Sequence, residues 1–337
     1  MSFDVDAVIT WVDGNDPAYQ NKLKEYLRES GNGSKAAAKP TRFNDCGELE
    51  YCIASLLRFA PWLRTIYIVS DQQTPPFMAE LKESAYADRV RLIDHREIFT
   101  GFEQYLPTFS NRSIECMLWR IPGLAERFIY LNDDFQLIQP VSVDDFFRED
   151  SIVLRGKWYP AHEKRWSSRL KLAVAKFLPG GKNLIANTRP GNHAAQFLSA
   201  RLAGFKEKYF QAPHLPHPMR KSMLSQFFSE HADLHKHNAG FRLRSNEQFL
   251  STSLAAHLAL ARNLAVIDNR LKTLRLSPSS QSPSTLRKQF RKTDTKTEFT
   301  FSCVQSLDKA AITERGLIID WFNQRIGRLA DIIAKPA

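Results

Sequence analysis

The chain has 337 residues, 43% of them hydrophobic and 25% charged, with 14 glycines and 17 prolines. That length and balance suit two domains or one large elaborated one, and exclude a wholly disordered, collagen-like or low-complexity chain. The formal net charge is +11. The excess sits in two stretches, 155–221 and 270–296, while residues 1–150 are net acidic, so an anionic partner or substrate is expected at the basic stretches.

Residues 5–12, VDAVITWV, form an apolar run bounded by turn residues. They read as the buried first strand of an α/β sheet. Asp4 and Asp6 stand where a signal peptide would need its basic start or apolar stretch, and no apolar run is long enough to span a bilayer. The cysteines Cys46, Cys52, Cys116 and Cys303 include no CxxC pair. They read as buried, reduced thiols of a cytoplasmic protein, with a structural zinc site not expected.

A turn at 13–17 leads to a helix over 18–30 and a loop over 31–39. A helix is expected over 48–59, with Leu49, Ile53, Leu56 and Leu57 on one face. Strands are expected over 65–70 and 89–94, a helix over 113–119, and a strand over 127–131 that ends in Asn132-Asp133-Asp134. Strands alternating with helices predict a mostly parallel sheet covered on both faces.

Beyond residue 150 the chain reads as more helical and irregular. Residues 167–178 have helical periodicity with a basic rim, which suits either a solvated helix packed on the core or a membrane-surface contact. Nucleic acid is not an expected partner, because no recognisable nucleic-acid motif accompanies the charge. Residues 277–300, rich in Ser, Thr, Pro, Lys and Gln, read as a mobile basic loop. An amphipathic helix over 312–334 closes the chain.

The expected organisation has three parts. Residues 1–150 form an α/β core with candidate metal-binding acids at strand ends. Residues 151–240 form a basic, mainly helical insertion for acceptor or membrane contact. Residues 241–337 complete the core with the basic loop and the C-terminal helix.

Open parallel sheets bind ligands at the carboxyl ends of their strands. Asp13 and Asp16, and Asp133 and Asp134, fall at two such ends. Adjacent carboxylates make a hard oxygen site suited to Mg²⁺ or Mn²⁺, and leave positions for phosphate oxygens. Without a metal they are a solvated turn. Gly14 sits in the turn after the first strand, where backbone can approach a nucleotide, and Asp13 or Asp16 could instead cap the next helix. In HLPHP, His214 and His217 lack further zinc ligands at useful spacing, so His214 reads as a general base or a structural histidine. His235 and His237 read as exposed. Arg242 and Arg244 suit phosphate binding, or are plain surface cations.

Four blocks carry a resemblance: DAVITWVDGNDP; RFNDCGELEYCIASLLRFAPWLRTIYIVSDQQTP from Arg42; LPTFSNRSIECMLWRIPGLAERFIYLNDDF from Leu106; and, more loosely, HLPHPMRKS at His214 with FRLRSNEQF before α-helical sequence. The chain resembles the Stealth family of sugar-1-phosphate transferases. That family includes bacterial capsular polysaccharide phosphotransferases and the α/β subunits of animal N-acetylglucosamine-1-phosphotransferase.

The resemblance implies a Rossmann-like, GT-A-like core that takes a UDP-linked nucleotide-sugar donor and a glycan or lipid-linked glycan acceptor. It implies transfer of sugar-1-phosphate with release of a nucleoside monophosphate. It places metal on Asp133 and Asp134, the acceptor proton on His214, and Asp16 and Arg242 in the active site. Trp11, Asp13, Gly14, Arg42, Asn132, Arg112, Arg244 and Asn246 become donor contacts. Arg112 stands where many bacterial relatives carry His, and Glu115 either orients the site or pairs with an arginine. An ordinary glycosyltransferase releasing nucleoside diphosphate, and a non-catalytic glycan- or polyanion-binding module, are the rival readings. The basic stretches are then candidates for an anionic membrane surface or a polyanionic acceptor, with the protein peripheral on the inner face of the cell membrane.

Overall fold

The structure is a computed structural model that describes residues 4–29, 46–161 and 191–334. The main sheet has five strands in the order β10-β4-β1-β2-β3. Its strands are β1 (Val5–Thr10), β2 (Ile66–Ser70), β3 (Val90–Asp94), β4 (Arg127–Asn132) and β10 (His217–Arg220). The first four are mutually parallel, with Ala7 opposite Ile66 and Ile129, while β10 runs antiparallel beside β4. Parallel order 3-2-1-4 is the Rossmann half-sheet.

Burial explains the composition of these strands. All six β1 residues and all five β2 residues are buried, as strands covered on both faces must be. Asp6 is the exception in kind, a carboxylate fully buried in β1. It accepts from the Arg64 guanidinium at 2.9 and 2.6 Å, from Thr65 N at 3.2 Å and from Ala125 N at 2.7 Å. One side chain thereby ties β1 to the connections entering β2 and β4.

Helices α1 (Pro17–Glu29) and α2 (Glu48–Phe59) follow β1; α3 (Met78–Lys82), α4 (His95–Ile98) and α5 (Asn111–Glu115) link the later strands. The helix read over 113–119 is shorter and shifted: α5 stops at Glu115 and a 3-10 turn follows at Leu118–Arg120.

Three smaller sheets surround the core. Strands β5 (Phe135–Leu137), β6 (Phe147–Arg148), β7 (Ser151–Leu154), β8 (Lys157–Pro160), β9 (Lys208–Gln211), β11 (Ala265–Ile267), β12 (Lys272–Leu276) and β13 (Phe299–Val304) pair as β12-β13-β5, β11-β7-β6 and β8-β9. Helices α6 (Asn192–Leu202), α7 (Lys221–Glu230), α8 (Ala232–Ala239) and α9 (Ser251–Ala261) pack among them. The segment 151–240 thus contributes β10 to the main sheet as well as helices. The amphipathic stretch 167–178 lies outside the described residues.

Two expectations are corrected. Residues 277–300 are not a loop: α10 (Pro283–Thr295) occupies most of them. Ser282 accepts from Thr285 N at 3.3 Å and Pro283 opens the first turn, so the Ser-Pro pair marks a helix start. Leu286 and Thr293 are buried, and Phe290 stacks on Trp321 at 4.8 Å. The closing helix is two helices, α11 (Ile312–Arg325) and α12 (Leu329–Ile333). Gly327 between them takes φ +91, a conformation that favours glycine and ends the first helix.

Candidate active site

A cleft of about 180 Å³ opens at the carboxyl edge of the main sheet. Thr10, Trp11 and Val12 enter it from the end of β1, and Asn132, Asp133 and Asp134 from the end of β4. Tyr19 of α1, Glu48 of α2, and Arg244 also line it, as do Ser306 and Asp308 beyond β13.

The acid pair is held by neighbours distant in sequence. Strand β13 runs antiparallel to β5 with Cys303 opposite Phe135. This places the Cys303 thiol 3.6 Å from Asp134 Oδ2, and Val304 N donates to Asp134 O at 3.1 Å. Asp134 N in turn donates to Asp133 Oδ1 at 3.1 Å. Asp134 Oδ1 is buried with no hydrogen-bond partner. Burial raises the Asp134 pKa, and the Cys303 hydrogen bond opposes the rise. An anion buried with an empty lone pair is destabilised until something cationic meets it. The pair therefore fits a hard divalent cation whose remaining ligands come from substrate and water. Among the described residues no group of three or more His, Cys, Asp or Glu could hold a metal by itself.

Behind the acids runs a buried polar chain. Thr10 Oγ1 lies 3.0 Å from Tyr130 OH, which donates to Asn132 Oδ1 at 2.8 Å. Tyr130 also hydrogen-bonds Glu115, whose Oε2 has no partner. Burial pushes Glu115 up to about 7, against the pull of Arg244 and Arg112. The folded state thus keeps a proton that the unfolded carboxyl loses near its ordinary value of 4.5. The Glu115 contribution to stability is fully present below that value and is lost as pH rises toward about 7. Glu115→Gln should shrink this fall, seen as a smaller difference between the urea midpoints at about pH 5 and about pH 8 than in the parent.

The other residues singled out in the sequence are placed as follows. Arg244 lines the cleft. Arg112 is buried, and its guanidinium donates to the Ser245 carbonyl at 2.7 Å and to those of Gln248 and Gly191 at 3.5 and 3.4 Å. Asp16 Oδ1 accepts from Tyr19 N at 2.7 Å, ahead of α1, the geometry of a helix cap. Asp13 accepts from Asn15 N and exchanges two 2.9 Å bonds with the Gln73 amide. The Gly14 carbonyl accepts from Gln20 at 3.0 Å.

His214 stands edge-on to Phe135, the residue after the acid pair in sequence, at 6.3 Å between ring centroids, and is not among the cleft-lining side chains. Burial first, then Arg275, lower its pKa. Arg242 lines a separate cleft with Lys22, Tyr26 and Arg96, its guanidinium 5.7 Å from the Tyr26 ring centroid. Phe109 lines the first cleft and touches Tyr26, so the two clefts share that wall. Asn246 is exposed, and Arg42 lies outside the described residues.

His235 corrects its expectation. It is buried, stacked on Phe228 at 4.3 Å, with Nε2 3.1 Å from the Cys116 carbonyl; His237 is exposed. Cys52, Cys116 and Cys303 are buried free thiols and Cys46 is half-buried. The reading missed Glu48, His95, Ser306 and Asp308. The last two follow β13 by only a few residues, yet nothing local marks the register that carries them to Asp134.

Parallel order 3-2-1-4 and a cleft at the carboxyl edge define a Rossmann-like α/β protein with a candidate anion- and metal-binding site. Residues 3–31 match the Stealth protein conserved region 1 and residues 42–154 match conserved region 2. It is 34% identical over 256 residues to an exopolysaccharide phosphotransferase of Streptomyces coelicolor, covering 75% of this chain and 42% of that one. It is 40% identical over 151 residues to a capsular polysaccharide phosphotransferase of Actinobacillus suis, covering 44% and 39%. The chain thus spans about two fifths of the length of these relatives. Solved structures give distant likenesses: the bifunctional glycosyltransferase WbbM (TM-score 0.46, 10% identity, 100% of this chain and 52% of that one) and the galactosyltransferase LgtC with donor and acceptor sugar analogues (0.41, 11%, 98% and 97%). No helix among the described residues is long and apolar enough to cross a membrane.

Proposed function

We propose that this protein transfers a sugar-1-phosphate from a nucleotide-diphosphosugar, taken as UDP-linked, to a hydroxyl of a glycan or lipid-linked glycan, in making phosphodiester-linked surface polysaccharide. The observation that carries the reading is the partnerless, buried Asp134 Oδ1 beside Asp133 at the head of the cleft. The names of the relatives, polysaccharide phosphotransferases, support it.

In this reading Asp133 and Asp134 would hold Mg²⁺ or Mn²⁺, whose charge would offset that of the diphosphate. Arg244, on the cleft wall, faces the non-bridging oxygens. Trp11 and Asn132 supply wall and hydrogen-bonding contacts to the donor. His214, its pKa lowered by burial and then by Arg275, takes the acceptor proton. The acceptor oxygen bonds to the phosphorus that bears the sugar, the bond from that phosphorus to the bridging oxygen breaks, and nucleoside monophosphate leaves. Asp16 supports the site through the start of α1, which carries Tyr19 into the cleft.

Arg244→Gln should lower transfer by roughly 10²- to 10³-fold, the scale of one lost charge-stabilising donor. Monophosphate release from a panel of nucleotide sugars, with Mg²⁺ and capsular or lipid-linked acceptor, measures it. Turnover equal to the parent would remove Arg244 from the mechanism.

A further inference from the structure

Helix α10 carries a charge pattern that its own fold does not explain. Arg287, Lys288, Arg291 and Lys292 are all exposed, with Lys296 at the helix end. Arg287 with Arg291, and Lys288 with Lys292, are like-charged i,i+4 pairs, and each such pair disfavours the helix. The acid on this helix, Asp294, is 3.3 Å from Arg325 of α11. Among the described residues no acid forms an ion pair with Arg287, Lys288, Arg291 or Lys292.

Topology fixes where this face lies. Strands β12 and β13 are parallel, with Leu276 opposite Val304, and α10 is the crossover between them. A crossover helix runs back against its strands, so it begins at their carboxyl edge. Val304 at that edge lines the cleft. The cationic face therefore starts beside the cleft rim and leads away from it. The apolar side of α10 is already occupied, Leu286 buried and Phe290 stacked on Trp321. It has no apolar face free for insertion between lipids, which leaves a charged surface that reads a polyanion through solvent.

We propose that the exposed face of α10 is a docking track for an anionic, phosphodiester-linked glycan chain, holding it as it enters or leaves the cleft. The proposal rests on the function above, since sugar-1-phosphate transfer leaves one negative charge at each new linkage.

The test uses the full chain and its R287Q/K288Q/R291Q/K292Q variant. Glutamine keeps helix propensity while removing charge. Binding is measured by sedimentation with poly(glycerol phosphate), and separately with phosphatidylglycerol–phosphatidylcholine vesicles, at low and high salt. The variant is expected to bind the polymer about tenfold more weakly at low salt, with a shallower salt dependence. Monophosphate release on a short acceptor should stay at the parent level. Polymer binding that is absent in the parent or unchanged in the variant, or a loss confined to vesicles, overturns the track. Failure of monophosphate release in the parent would overturn the reaction instead, because polymer binding is read without turnover.

Discussion

Asp134→Asn should reduce metal-dependent transfer by roughly 10³-fold or more, the several kcal/mol that a positioned cation contributes to phosphoryl transfer. The same change should leave the fold intact or make it more stable. In the free protein Asp134 Oδ1 is buried without a partner, and burial raises the carboxyl pKa. Replacing it by a neutral amide removes that penalty and keeps an acceptor for the Cys303 thiol. Turnover, Mn²⁺ calorimetry and a thermal melt on one preparation separate the two effects. Lost activity together with a large drop in Tm would mark Asp134 as structural.

Asp6→Ala makes the opposite demand. It should cost about 2–4 kcal/mol of stability, because it orphans two backbone amides and removes the buried acceptor of Arg64, whose guanidinium is itself partly exposed and can turn to water. The partners are Arg64 at 2.6 Å, Thr65 N at 3.2 Å and Ala125 N at 2.7 Å. Transfer per folded molecule should change little, since Asp6 lies in the strand body and not on the cleft. Urea unfolding with an unchanged slope measures the loss. A loss below about 1 kcal/mol would mean that the Arg64 pair is no more than a surface contact.

The core was legible because its signals are local. The run VDAVITWV gives β1, the periodicity of 48–59 gives α2 with the same bounds, and 127–131 gives β4 ending at the acid pair. The position of acids at strand ends then followed from the general rule for parallel sheets. What was not legible depends on partners far away in sequence. Asp6 is a polar residue in an apolar strand, and its need for Arg64 and Ala125 is visible only once they are adjacent.

Residues 277–300 look like a loop by composition. A serine cap, one proline at the first turn, two buried side chains and the Phe290–Trp321 stack suffice to make α10. His235 has the sequence neighbourhood of a surface histidine, yet the ring packs under Phe228 because α8 turns it inward. Arg112 and Arg244 are equivalent as cations in sequence. The structure separates them, with one guanidinium on backbone carbonyls and the other residue on the cleft wall.

The central claim concerns which bond of the donor breaks. A nucleotide sugar labelled at its β-phosphorus, incubated with the protein, Mg²⁺ and glycan acceptor, tests it most directly. Sugar-1-phosphate transfer predicts label in the glycan and unlabelled nucleoside monophosphate in solution. Label retained on released nucleoside diphosphate would show attack at the anomeric carbon, and so a glycosyltransferase in the same cleft.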